Sequence, residues 1–124
     1  MQARQRLGDD AVRRVFEQGS DLWHAQTMHP DWCRLTLHAV DGVVWRPQET
    51  RDNEEAIART KTAAGASPYP QVRMVCLMEM TSHLIGGAVM SCQNENEMIL
   101  AEGLIPRVPD NSLTLFDKGY TAGK

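Results

Sequence analysis

No stretch of this 124-residue chain approaches the roughly 20 consecutive apolar residues that a membrane-spanning helix requires. The residues following Met1 also lack the apolar segment of a secretory signal. Cysteine is scarce: Cys33, Cys76 and Cys92 are an odd number with no paired spacing, which argues for reduced thiols in a cytoplasmic protein. There is no Gly-rich phosphate loop, no Ser-centred elbow and no paired Cys-x-x-Cys, so those chemistries are set aside. Nor is there an excess of positive charge. A net charge of −3 and a pI near 5.8 exclude a whole-surface nucleic-acid binder but leave room for a local basic patch. Arg4, Arg6, Arg13 and Arg14 supply one near the start. What remains is ordinary for a globular chain, 42% hydrophobic and 23% charged with only 6% aromatic residues, long enough for one domain and a modest core.

Along the chain, Asp9 can cap a helix whose apolar positions Val12, Val15, Phe16, Leu22 and Trp23 recur at near-helical spacing, with Gly19 on the same stripe. Residues 1–8 read as the tail of an earlier element, and His29-Pro30-Asp31 breaks the helix. A strand over 35–40 follows. From Arg46 to Pro70 the pattern dissolves into a long loop with one helical turn near 54–58. Strict alternation over 71–80 predicts a strand, Thr81-Ser82 a tight connection, and 83–92 a second strand with a bulge at Gly86-Gly87. Asn94 with Glu97 resembles a capping box opening a helix through Met98, Ala101, Leu104 and Ile105, which Pro106 and Pro109 end. The strand 112–116 comes last.

Two of these strands lead into an aspartate. Side chains alternate faces along a strand, so Asp41 shares a face with Leu35, Leu37 and Ala39, and Asp117 with Leu113 and Leu115. If the two strands are parallel neighbours, both carboxylates emerge at the carboxyl end of the sheet, where open α/β sheets place their chemistry. Two hard oxygen ligands suit Mg²⁺ or Mn²⁺. Each motif also has a plain reading. Asp41-Gly42 between β-prone runs is a favoured hairpin turn, and Asp117-Lys118-Gly119 reads equally as a strand-end turn.

Other groupings carry less. His24, His29 and Cys33 provide at most half of a zinc site, which needs four well-spaced ligands. Met74, Met78, Met80 and Met90 read as core packing on the hairpin. The run Arg51-Asp52-Asn53-Glu54-Glu55 reads as a solvated loop.

The element order of strand, antiparallel hairpin, helix and parallel strand, preceded by an N-terminal helix, predicts an α/β chain with a partial ribonuclease-H-like fold. Five stretches sharpen this: Gln2-Ala3-Arg4-Gln5-Arg6-Leu7-Gly8, Ala39-Val40-Asp41-Gly42-Val43, Tyr69-Pro70-Gln71-Val72-Arg73-Met74-Val75, Glu79-Met80-Thr81-Ser82-His83-Leu84 and Leu115-Phe116-Asp117-Lys118-Gly119-Tyr120. In order and spacing they resemble the bacterial insertion-sequence transposases of the cut-and-paste DDE group, the IS-four family. The resemblance covers nearly the whole chain.

The resemblance implies a catalytic core in which three carboxylates bind two divalent ions, Mg²⁺ or Mn²⁺. These ions activate water and then a DNA 3′-hydroxyl for in-line attack on phosphodiesters. Asp41 matches the first carboxylate and Asp117 the second. Arg4, Arg6 and Lys118 are the candidate DNA contacts, and transposon ends the expected partner. The third carboxylate of the family lies in a Tyr-x-x-Arg-x-x-x-Glu helix, and this sequence, with Tyr69 and Tyr120 as its only tyrosines, has no such motif. The expected organisation is therefore a helical segment over 1–31, ending the DNA-binding region, and a truncated catalytic core over 32–124. Such a chain should be inactive alone. A competing expectation is a non-catalytic product that pairs with a full-length transposase and inhibits it. In either case strand 112–116 should present an unpaired edge prone to homo-oligomer formation.

Overall fold

The protein is described, in a computed structural model, over residues 2–28, 32–57, 59, 61–62, 65–92 and 95–120, by backbone alone at 2–5 and 61–62. In chain order its elements are α1 (Gln2–Gln26), β1 (Thr36–Trp45), α2 (Arg51–Ala56), β2 (Lys61–Thr62), β3 (Gly65–Ala66), β4 (Val72–Glu79), β5 (Ile85–Ser91), α3 (Glu97–Glu102) and β6 (Ser112–Phe116). Short 3₁₀ turns cover Ile105–Arg107 and Lys118–Tyr120. The chain is thus α/β, with a mixed four-stranded sheet in the order β5-β4-β1-β6. β1 is antiparallel to β4 and parallel to β6, and β4 is antiparallel to β5. Among the described residues no helix is long and apolar enough to cross a membrane.

Alternation along β4 divides the sheet into two unlike faces. Val75, Leu77 and Glu79 are fully buried, while Met74, Cys76 and Met78 between them are half-buried. The buried face joins Val40 of β1 to Leu100, Ala101 and Leu104 in and after α3, with Val89, Val108 and Tyr120 packed around them. The methionines therefore do not lie in the core as expected. They line the face opposite α3, and Met90 is 64% exposed.

Local chemistry explains the hairpin between β4 and β5. The buried Glu79 carboxylate accepts from Thr81 N–H at 3.0 Å, Ser82 N–H at 2.6 Å and Ser82 Oγ at 2.5 Å. Burial pushes this carboxyl up, but the hydrogen bonds from Ser82 and Thr81 outweigh it and hold its pKa at about 2. The bulge is where the glycine pair predicted it. Leu77 pairs with Gly87 and Met78 with Ile85, so Gly86 is the extra residue.

Several expectations change. Asp41-Gly42 is not a turn, because β1 runs on to Trp45 and residues 41–45 pair with residues 72–76 of β4. Cross-strand pairing overrides the local Asp-Gly preference. The helical turn in the long loop is α2, capped by Thr50 Oγ1 accepting from Asn53 N–H at 3.3 Å, and a small β2–β3 pair follows. At α3 the N-cap is Asn96, whose Oδ1 accepts from Met98 N–H at 3.1 Å. Asn94, His29, Pro30, Asp31 and Ala58, which entered the sequence expectations, lie outside the described residues.

Gly8, at φ 72°, interrupts α1 where the first eight residues were expected to separate from the helix that follows. Asp9 does not cap that helix, and its carboxylate accepts from the neighbouring Asp10 N–H at 3.1 Å. The helix meets the sheet at β5 through Ser20, whose Oγ donates to Ile85 O at 2.6 Å, and through an Asp21–Arg107 ion pair at 2.8 Å. Its apolar stripe of Val12, Val15, Phe16, Leu22 and Trp23 is exposed, and Gly19 has open space around it instead of the close contact expected of it.

Candidate acidic site at the parallel strand pair

Five ladder pairs join β1 and β6, from Thr36–Ser112 to Val40–Phe116. Asp41 and Asp117 each follow the last pair directly. Adjacent strands lie about 4.8 Å apart, so the two aspartates occupy neighbouring positions at the carboxyl end of the parallel pair. β1 continues past this point against β4 alone, because β6 has ended. Both residues are exposed. Asp41 Oδ1 accepts from Gly42 N–H at 2.8 Å, and Asp117 Oδ1 from Lys118 N–H at 2.5 Å. Among the described residues neither Oδ2 takes a hydrogen bond from the protein.

That donor set fits a hard, largely hydrated divalent cation. Mg²⁺ commonly keeps several waters and is held by one or two carboxylates together with substrate phosphates. Among the described residues no cluster of three or more His, Cys, Asp or Glu side chains is arranged to hold a metal ion. The half-site of His29 and Cys33 includes His29, which lies outside the described residues.

The reverse side of the same segment is crowded. A Cβ added to Gly42 would stand 3.0 Å from Glu97 Cδ and 3.2 Å from Tyr120 Oη. Arg73 of β4 approaches Glu97 at 3.7 Å and donates to Glu95 O at 2.8 Å, tying the start of α3 to the sheet. The Tyr120 ring meets Phe116 edge-on, with centroids 5.7 Å apart, and its N–H donates to Asp117 O at 2.9 Å. Burial, then the charges of Glu97 and Asp41, push the Tyr120 phenol above its ordinary pKa. Cys76 pairs across the ladder with Asp41, and burial followed by the Asp41 charge pushes its thiol up. Sequence reasoning passed over Gly42, Glu97, Arg73 and Tyr120 as a group. The available signal was the Asp-x-x-Tyr spacing, which returns Tyr120 by one 3₁₀ turn.

The basic candidates are not drawn together. Lys118 is exposed and follows Asp117 directly. Arg6 is exposed on α1 ahead of Gly8, on a helix that rests on β5 at the opposite edge of the sheet from β6. The side chain of Arg4 lies outside those described.

No protein-family model matches this chain, and no solved structure matches it. Among curated proteins it is 53% identical over 120 residues to the transposase InsG for insertion sequence element IS4 of Escherichia coli (strain K12), a match covering 97% of this chain and 27% of that protein. It is 35% identical over 119 residues to the putative transposase InsZ of the same organism, covering 94% of this chain and 40% of that one. The chain therefore spans well under half the length of the curated relatives it matches. By sequence it is a homologue of the IS4-family insertion-sequence transposases and corresponds to a part of their length.

Proposed function

We propose that this chain is part of the catalytic core of a DNA-cutting transposase, with Asp41 and Asp117 as two of its metal-binding carboxylates. The observation that carries the reading is the ladder, which ends at Val40–Phe116 and leaves the aspartates adjacent. The element order of long strand, antiparallel hairpin, helix and parallel strand further supports a partial ribonuclease-H-like architecture. On this reading residues 32–124 belong to the catalytic core, and residues 1–31 end a preceding helical region. Mg²⁺ or Mn²⁺ bound there would stabilise both the attacking and the leaving oxygen of a phosphodiester displacement. Asp41 and Asp117 hold the cation, and Lys118, with Arg4 and Arg6 farther off, meets the DNA backbone at transposon ends. With two carboxylates the chain binds metal weakly and does not cut DNA by itself.

Titration with Mn²⁺, following the free ion by electron paramagnetic resonance, tests the pair. We expect a dissociation constant of about a millimolar, as for weakly held divalent ions, lost in Asp41→Asn and in Asp117→Asn. Binding that survives both substitutions would place the ligands elsewhere.

The outer edge of β6 favours a second reading. It ends the sheet, and Leu115 and Phe116 are each almost half exposed. A strand with such an edge pairs readily with another chain, so the product could associate with itself or with a full-length transposase and inhibit it. Adding the chain to a transposition assay of a full-length relative separates the readings: inhibition that Leu115→Lys abolishes supports the second.

A further inference from the structure

Asp117 lies one residue beyond the last ladder pair, Val40–Phe116, where β6 has ended. It leads directly into the 3₁₀ turn Lys118–Tyr120. This turn is closed by Tyr120 N–H donating to Asp117 O, and it is anchored by the Tyr120 ring. The ring packs against the core and edge-on to Phe116. Its hydroxyl, buried and without a hydrogen-bond partner among the described residues, reaches the backbone of Gly42, the residue after Asp41. The contact is one of shape: the space a Cβ would fill at Gly42 is taken by Tyr120 Oη and the Glu97 carboxylate. Glu97 is itself tied back by Arg73.

We propose that Tyr120 is a positioning residue for the acidic pair. Its phenol, wedged against Gly42 on the reverse of the sheet, keys the Asp117 turn to the strand segment carrying Asp41 and holds the two carboxylates at one separation. The proposal rests on the metal-binding reading of Asp41 and Asp117. It accounts for the glycine at position 42, where φ is ordinary for a strand and only the missing side chain matters. Groups that support a metal's ligands change affinity when altered although they never touch the ion.

The test is Mn²⁺ titration by electron paramagnetic resonance, with thermal unfolding by circular dichroism on the same samples. The variants are Tyr120→Leu, Tyr120→Phe, Gly42→Ala and the double variant Gly42→Ala/Tyr120→Phe, with Asp41→Asn as control. Tyr120→Leu and Gly42→Ala should each weaken Mn²⁺ binding about tenfold, whereas Tyr120→Phe, which keeps the ring and loses only the hydroxyl contact with Gly42, should weaken it about threefold. The double variant should recover part of what Gly42→Ala loses, because the deleted hydroxyl frees one neighbour of the added methyl while the Glu97 carboxylate stays. Folded Tyr120→Leu and Gly42→Ala proteins that bind like wild type would overturn the proposal while leaving the metal reading intact. So would a double variant no better than Gly42→Ala. Binding unchanged in Asp41→Asn would instead overturn the metal reading, and the positioning role with it. If Tyr120→Leu does not fold, Gly42→Ala and its double variant decide the matter.

Discussion

Glu79→Gln should destabilise this protein by about 3 kcal/mol at neutral pH. Glu79 is fully buried and accepts three hydrogen bonds, from Thr81 N–H, Ser82 N–H and Ser82 Oγ. A hydrogen bond to a charged group contributes about 1.5–3 kcal/mol, and the glutamine retains one acceptor while turning an NH₂ toward donors. The same hydrogen bonds hold the carboxyl at about 2 against an ordinary 4.5, which corresponds to about 3 kcal/mol. Because the folded pKa is depressed, this stability is fully present above pH 4.5 and disappears as the pH falls through 2. Urea unfolding monitored by tryptophan fluorescence, on wild type and variant in parallel, measures the difference. His38, buried opposite Glu79 on β1, is present in both proteins. The gap should be constant from pH 7 to 5 and shrink steadily toward pH 2. A gap of the same size at pH 2.5 would refute the charge-based account of the turn, and a gap near zero at pH 7 would refute the hydrogen-bond account as well.

Two further outcomes follow from packing. Leu77, fully buried between β1, β5 and the segment after α3, should cost about 3 kcal/mol when cut to alanine, read as a lowered urea midpoint at unchanged slope. Leu115→Lys, on the outer strand of the sheet, should leave the unfolding midpoint within about 0.5 kcal/mol of wild type while reducing self-association in light scattering. A wild type that stays monomeric at high concentration would show that the β6 edge is not sticky.

Much of this architecture was legible in the chain. The 71–80 alternation and the glycine bulge are short-range signals that mark their elements, because a two-residue period reports which side chains are buried. The expected proline stop is not where α3 ends: the helix closes at Glu102 with Gly103 as its C-cap, and Pro106 lies in the 3₁₀ turn that follows. The stretch around Asp117 was legible as a strand end, and the stretches around both aspartates as a resemblance to transposases. Three features were not. Asp41-Gly42 favours a turn locally, and only pairing of 41–45 with 72–76 keeps it extended. The apolar stripe of α1 reads as a core face, yet the helix docks through Ser20, which donates to Ile85 O of β5, and Asp21, which pairs with Arg107, with His24 beside Gly86. The meeting of Tyr120, Glu97 and Arg73 behind Gly42 joins residues from four separate elements. Periodicity determines which face of a segment prefers burial. Which partner covers that face, and which polar groups meet behind it, is decided only when non-local contacts compete for the same space.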